Sequence, residues 1–275
     1  MKILVALILA LAVVAAACSA ESEDNLIGLR ASSDTAVGDA RFLFAISEID
    51  GTRRGAPDEE IAIVATSLDD PDEVLAADAD FIWLIEDAVG LYRVSLPFTR
   101  AGTWEIEWEI STGEGTDPFL VLVNEEPATP AIGDPAPLVA TRTLADLPID
   151  DLTTDASPEP SLYEISLDEA LSNGRPTVVV FATPAFCVSA ACGPMLETVK
   201  GMMSQFPNVN WLHVEVYEGF NETGFEPTTD YLVEAVKAYN LPSEPWAFVM
   251  DEQGIIEARL EGAFDAVELA AILNG

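Results

Sequence analysis

The sequence predicts two units in series: an antiparallel β-sandwich, then an α/β unit built on a mixed central sheet. Three observations predict this. At 275 residues the chain is long for one small domain and comfortable for two. Its first half reads as short alternating strands separated by turn residues, and its second half alternates strand-like and helix-like segments. With 49% hydrophobic and 22% charged residues there is enough aliphatic material for cores. The formal charge of −36 leaves no phosphate-neutralising surface, so nucleic acid is excluded as a partner.

In chain order, residues 1–17 have the pattern of an export signal: Lys2, an unbroken apolar run from Ile3 to Val14, then Ala15-Ala16-Ala17. The run is short for a mature membrane-spanning helix. With the cysteine that follows, it resembles a bacterial lipobox, although Ala15 stands where that motif prefers leucine. The resemblance implies that Cys18 is acylated, and that the protein sits outside the cytoplasm, tied to the membrane through a polar tether over residues 18–25. Stable anchoring then needs more than one acyl chain. Of three cysteines, this leaves Cys187 and Cys192 as a pair in a compartment where disulfides persist.

Residues 26–126 form the expected sandwich. Strands are predicted at Leu26–Ala31, Arg41–Ile46, Ile61–Thr66, Phe81–Ile85, Leu91–Leu96, Thr103–Ile110 and Phe119–Val123. Alternation is clearest in Trp104-Glu-Ile-Glu-Trp-Glu-Ile110, which puts Trp and Ile on one face and Glu on the other. The stretch Gly90 to Trp104, with Tyr92 and Ala101-Gly-Thr-Trp104, resembles the immunoglobulin-like domains of exported bacterial proteins. No His or Cys occurs here, so the unit reads as a spacer or docking module that holds the rest away from the membrane. Prolines 127, 130, 135 and 137, and the Asp/Thr/Pro-rich stretch 150–160, mark residues 127–160 as a Pro/Asp-rich linker and the entry to the second domain.

Residues 161–275 supply the alternating pattern. Strands are predicted at Thr177–Ala182, Val209–Val216, Trp246–Met250 and Ile255–Leu260, and helices at Pro194–Phe206, Asp230–Tyr239 and Ala266–Leu273. Three segments then occur in order: Gly133-Asp-Pro-Ala-Pro137, Phe181-Ala-Thr183-Pro184-Ala-Phe-Cys187-Val-Ser-Ala-Ala-Cys192-Gly-Pro194, and Ser243-Glu-Pro245-Trp followed by Asp251-Glu-Gln-Gly254. Together they resemble the thioredoxin-like superfamily over about residues 131–275. That likeness implies a redox site directly after the first core strand, with Cys187 and Cys192 as its thiols and Pro245 as a cis-proline facing the substrate. A cysteine between a strand and a helix N-terminus meets unpaired N–H groups and the positive helix end, which favour its thiolate, and Pro194 suits the first helical turn. The carboxylate of Glu244, if it lies near that thiolate, works the other way.

The implied partners are protein thiols or disulfides, or an extracytoplasmic reductant, and the implied cofactor is none beyond the disulfide. A binding module with a degenerate redox site is the alternative of a different class, and two further likenesses stay open. Cys-x4-Cys after Thr-Pro resembles the peroxidatic and resolving pair of bacterioferritin-comigratory peroxiredoxins, with Thr183 four residues before Cys187 where that family has three. His213, the single histidine, joined to two cysteines resembles the copper set of Sco-type chaperones, although it lies mid-strand and reads as a core residue. The five-residue spacing also sets an expectation for the loop. Val188-Ser-Ala-Ala191 carries no Gly or Pro to fix a turn, so the segment either turns without them or is helical until oxidation unwinds it. The acids spread evenly, 25 to 6 bases over 19–126 and 23 to 5 over 127–275. This fits adaptation to high ionic strength, or a general acidic bias.

Overall fold

The computed structural model describes residues 26–113 and 116–275. The expected signal, Cys18 and the tether lie outside the described residues. No helix among the described residues is long and apolar enough to cross a membrane.

The first half is nine strands: β1 (Leu26–Arg30), β2 (Gly38–Glu48), β3 (Arg53–Arg54), β4 (Ile61–Ser67), β5 (Val74–Ile85), β6 (Val89–Phe98), β7 (Gly102–Ile110), β8 (Thr116–Asp117) and β9 (Phe119–Val123). They join in the order β8-β1-β2-β6-β5-β4-β7-β9, with β3 paired to β2. The separate sheets expected of a sandwich are therefore one sheet folded over on itself. The fold runs through β5, whose first half pairs with β4 and whose second half, from Asp80, pairs with β6. Strands that pass from one layer to the other make such corners. Only Phe81–Ile85 of β5 is apolar enough to read as strand. Val74–Asp80 is mostly Ala and Asp, poor strand formers, and pairing with β4 overrides that propensity.

The Trp/Ile face of β7 is buried as its alternation predicts, against Phe42, Phe44, Tyr92 and Phe98. At the corner before it, Gly102 holds φ 134°, and a Cβ there would meet the Asp69 carboxylate at 2.5 Å. The backbone angle is what favours glycine here, since the exposed Asp69 side chain can swing aside.

The second half holds α1 (Leu167–Ser172), β10 (Thr177–Ala182), α2 (Cys192–Met202), β11 (Asn210–Glu215), α3 (Glu234–Ala238), β12 (Trp246–Met250), β13 (Ile256–Glu261) and α4 (Ala266–Asn274). Its sheet runs β11-β10-β12-β13, with β10 and β11 parallel and the other pairs antiparallel, so the sheet is mixed as expected. Helices α2 and α4 pack on one face, α1 and α3 on the other. The helix predicted over Asp230–Tyr239 is shorter than expected. Leu232 is extended and bridges to Tyr217, and Val233 N–H donates to Val216 O at 3.0 Å. Pairing with the end of β11 takes the backbone groups a helix would have used, and α3 starts only at Glu234.

Neither spacer nor free linker describes the rest. Leu43, Ile82 and Leu91 of the first sheet are buried in the same cluster as Val180, Leu196, Leu260 and Phe264. Arg41 of β2 bonds the Glu268 carboxylate of α4 at 2.5 and 2.9 Å and the Glu261 carbonyl at 3.1 Å. Asp34 pairs with Arg259. Residues 127–160, expected as a Pro/Asp-rich linker and domain entry, are tied down along their length: Ala128 and Thr129 N–H donate to Asp34, Ala136 N–H to Gly254 O, and Thr154 N–H to Glu215. Backbone groups bonded at this density belong to a packed structure.

Candidate functional site

Strand β10 is buried along its whole length, so its continuous Thr-Val-Val-Val-Phe-Ala run lies between two helical layers. It ends at Thr183, and the chain turns through Pro184-Ala-Phe before Cys187. Helix α2 then begins at Cys192, with Pro194 in its first turn, as the sequence implies. Between them residues 187–191 form a non-helical loop. Cys187 and Cys192 are joined by a disulfide with Cα atoms 6.0 Å apart, within the range such bonds need. In this oxidised form the alanines do not extend the helix. Ala190 instead takes φ 59°, the left-handed region that non-glycine residues rarely enter.

The two sulfurs have different surroundings. Cys192 is fully buried among Met195, Leu196 and Val180, whereas Cys187 is only half-buried and neighbours the exposed Val188. Cys192 N–H donates to Cys187 Sγ at 3.3 Å, which places that sulfur at the N-terminus of α2. Ser189 Oγ lies 3.3 Å from the same sulfur and 3.4 Å from the Glu244 carbonyl oxygen. In this oxidised form Cys187 Sγ is thus surrounded by an N–H donor, a hydroxyl and the positive helix end, the surroundings that favour a thiolate.

The Ser189 contact also joins the loop to the segment before β12. Phe181 pairs with Trp246, so Pro245 stands level with the end of β10, beside the cysteine loop. The Glu244–Pro245 peptide is cis. The Glu244 side chain is half-buried, and burial pushes its pKa up.

On the other side of the loop is a group that the sequence does not announce. Glu215, at the end of β11, is 5% exposed and accepts from Thr154 N–H at 2.7 Å and Thr154 Oγ at 2.8 Å. The Thr154 hydroxyl in turn accepts from Ala185 N–H at 3.1 Å, two residues before Cys187. Burial raises the Glu215 pKa, against the lowering effect of Thr183 and Thr154. Thr183 is itself fully buried; its carbonyl accepts from Phe186 N–H at 3.1 Å, while its hydroxyl faces Glu215 without closing to a hydrogen bond there or to Cys187. Phe186 packs against Tyr217 and Phe225, with ring centroids 6.2 and 5.0 Å away. Ser189, Thr154, Glu215 and the aromatic group come together only by folding, across 31 to 61 residues for the bonds to Thr154.

His213 is a core residue, as its place in a strand suggests. The Ala182 carbonyl, 3.1 Å from Nε2, can only accept, so Nε2 carries the proton and Nδ1 accepts from the Tyr163 hydroxyl at 2.7 Å. Burial holds its pKa down to about 4. Both ring nitrogens are therefore engaged within the protein. No group of three or more His, Cys, Asp or Glu poised for a metal occurs among the described residues.

In comparison with known proteins, the chain matches no family model, and no curated protein matches it.

Proposed function

We propose that the chain is a thiol–disulfide oxidoreductase of thioredoxin-like type, with Cys187 as its attacking sulfur and Cys192 as its resolving one. One observation carries this reading: the half-buried Cys187, with its Sγ at the N-terminus of α2, is bonded to a fully buried Cys192, beside Pro245. A purely structural staple has no need of that asymmetry. The reduced protein donates two electrons. The Cys187 thiolate attacks one sulfur of a substrate disulfide, forms a mixed disulfide and expels the other substrate sulfur as thiolate. Cys192, once deprotonated, attacks Cys187 Sγ, closes the 187–192 bond and releases the second substrate thiolate. The reverse sequence oxidises a substrate dithiol. The sequence pattern at Cys18 adds a location to this reading: outside the cytoplasm, held to the membrane by a lipid.

Trapping tests the assignment. Cys192→Ser should accumulate mixed disulfides through Cys187, while Cys187→Ser should accumulate far fewer, because Cys192 is buried. Equal absence of adducts in both variants, with a disulfide that common dithiols do not reduce, overturns the reading in favour of a static staple. The peroxide and copper alternatives gain no support from a specific contact, since Thr183 does not bond Cys187 and His213 is fully engaged.

A further inference from the structure

A cavity of about 620 Å³ lies between the first sheet and the cysteine loop, a size that suits a short segment or small ligand. Ser189 and Ala191 of the loop form one side of it, and Ser189 Oγ is 3.3 Å from Cys187 Sγ. Leu43, Leu84 and Leu91 of the first sheet give it an apolar wall, and Arg30 and Arg53 line it as well. These two arginines, like Arg142 and Arg175, form no ion pair among the described residues, and of those four they are the ones that line this cavity. Acids outnumber bases 48 to 12, and seven cations among the described residues are ion-paired. Arg30 and Arg53 are exposed and hold no carboxylate among the described residues. Two acids share the cavity. Glu261 is occupied by the N–H and hydroxyl of Ser33, and Glu244 lies at the cysteine end.

We propose that this cavity is a substrate groove for an acidic peptide segment bearing a cysteine, with the first sheet supplying the wall that selects it. The inference rests on the oxidoreductase reading above. An apolar side chain beside the substrate cysteine packs on Leu43, Leu84 and Leu91. Substrate carboxylates further along meet Arg30 and Arg53, away from Glu244. Such a preference runs against the field of the whole protein, which at −36 attracts basic peptides. At about 0.15 M salt that field is screened beyond about 8 Å, whereas contacts inside the groove persist.

The test uses the full chain, reduced by dithiothreitol, and two disulfide-linked peptides identical except for Glu or Lys flanking the cysteine. At about 0.15 M salt the acidic peptide should be reduced about five-fold faster, and a double Arg30→Glu/Arg53→Glu variant should lose or reverse that preference. Exchange with dithiothreitol, measured for both proteins alongside, reports whether the redox pair itself is intact. Equal rates, or a faster basic peptide, with dithiothreitol exchange intact overturn the groove and leave the redox assignment standing. If the protein exchanges with neither reagent, the oxidoreductase reading fails. Binding of the acidic peptide with serine for cysteine then decides the groove: binding that the double variant abolishes supports an acidic-segment site, and no binding ends it.

Discussion

Ala190 is where single-residue chemistry bears most directly on the redox pair. The oxidised loop requires it at φ 59°, a conformation that costs an L-residue about 1–2 kcal/mol and glycine almost nothing. Ala190→Gly should therefore stabilise the disulfide form, provided that the reduced loop releases that angle. About 1 kcal/mol of preferential stabilisation makes the pair harder to reduce by about 20 mV, readable by equilibration against a glutathione or dithiothreitol buffer. An unchanged potential means that Ala190 holds the same angle in both states and that reduction leaves the loop as it is. Amide exchange across 185–195 in the two states checks the same point independently. Glu215 belongs to this scale as well, because through Thr154 it reaches the backbone of Ala185 without approaching in sequence. Nothing in Trp211-Leu-His-Val-Glu215 distinguishes that glutamate from a solvated strand end. Its partner is fixed by tertiary packing alone.

Among the elements, the join between β2 and α4 is the one to break. Arg41 and Glu268 have side chains only 12% and 11% exposed, and Arg93 at 3.1 Å is the other cation on that carboxylate. Arg41→Ala leaves the Glu268 carboxylate with Arg93 as its remaining cation and frees the Glu261 and Ala263 carbonyls, a loss of about 2 kcal/mol. Urea denaturation should show a lower midpoint and, if the join is what couples the halves, two transitions where the wild type has one. A variant with the wild-type midpoint would show that the apolar contacts of Leu43 and Leu91 suffice. Several elements were legible beforehand for plain reasons. The alternation of β7, the unbroken apolar run of β10 and the proline in the first turn of α2 are local signals, and the structure follows each. Helix α1 carries a capping box, Ser166 with Glu169, that the sequence displays and that strand-and-helix periodicity alone passes over. The unbroken Phe42-Leu-Phe-Ala-Ile46 run likewise signals a strand covered on both faces. Which element does the covering is not written in any window of sequence. The helix expected from Asp230 is interrupted at Leu232 and Val233 because a cross-strand bond competes with helix there.

For the molecule as a whole, the acid is the dominant variable. At −36 the folded chain repels itself over its surface, and added salt relieves this while barely touching the partly buried pairs Arg41–Glu268 and Arg259–Asp34. The melting temperature should rise on the order of 5 °C between about 0.05 M and about 1 M NaCl, followed by circular dichroism. A flat or falling profile would argue that ion pairs outweigh repulsion, and against adaptation to salty surroundings. The shared core has a different consequence, one of timing. Leu43, Ile82 and Leu91 find their partners on β10, α2, β13 and α4, all of which follow residue 176. At about 5–20 residues per second a ribosome needs roughly 7–30 s to add the last half of the chain. For that interval the newborn first sheet carries a greasy flank with nothing yet made to cover it. The nascent protein is then most open to capture by a chaperone, and to association with a neighbour in the same state.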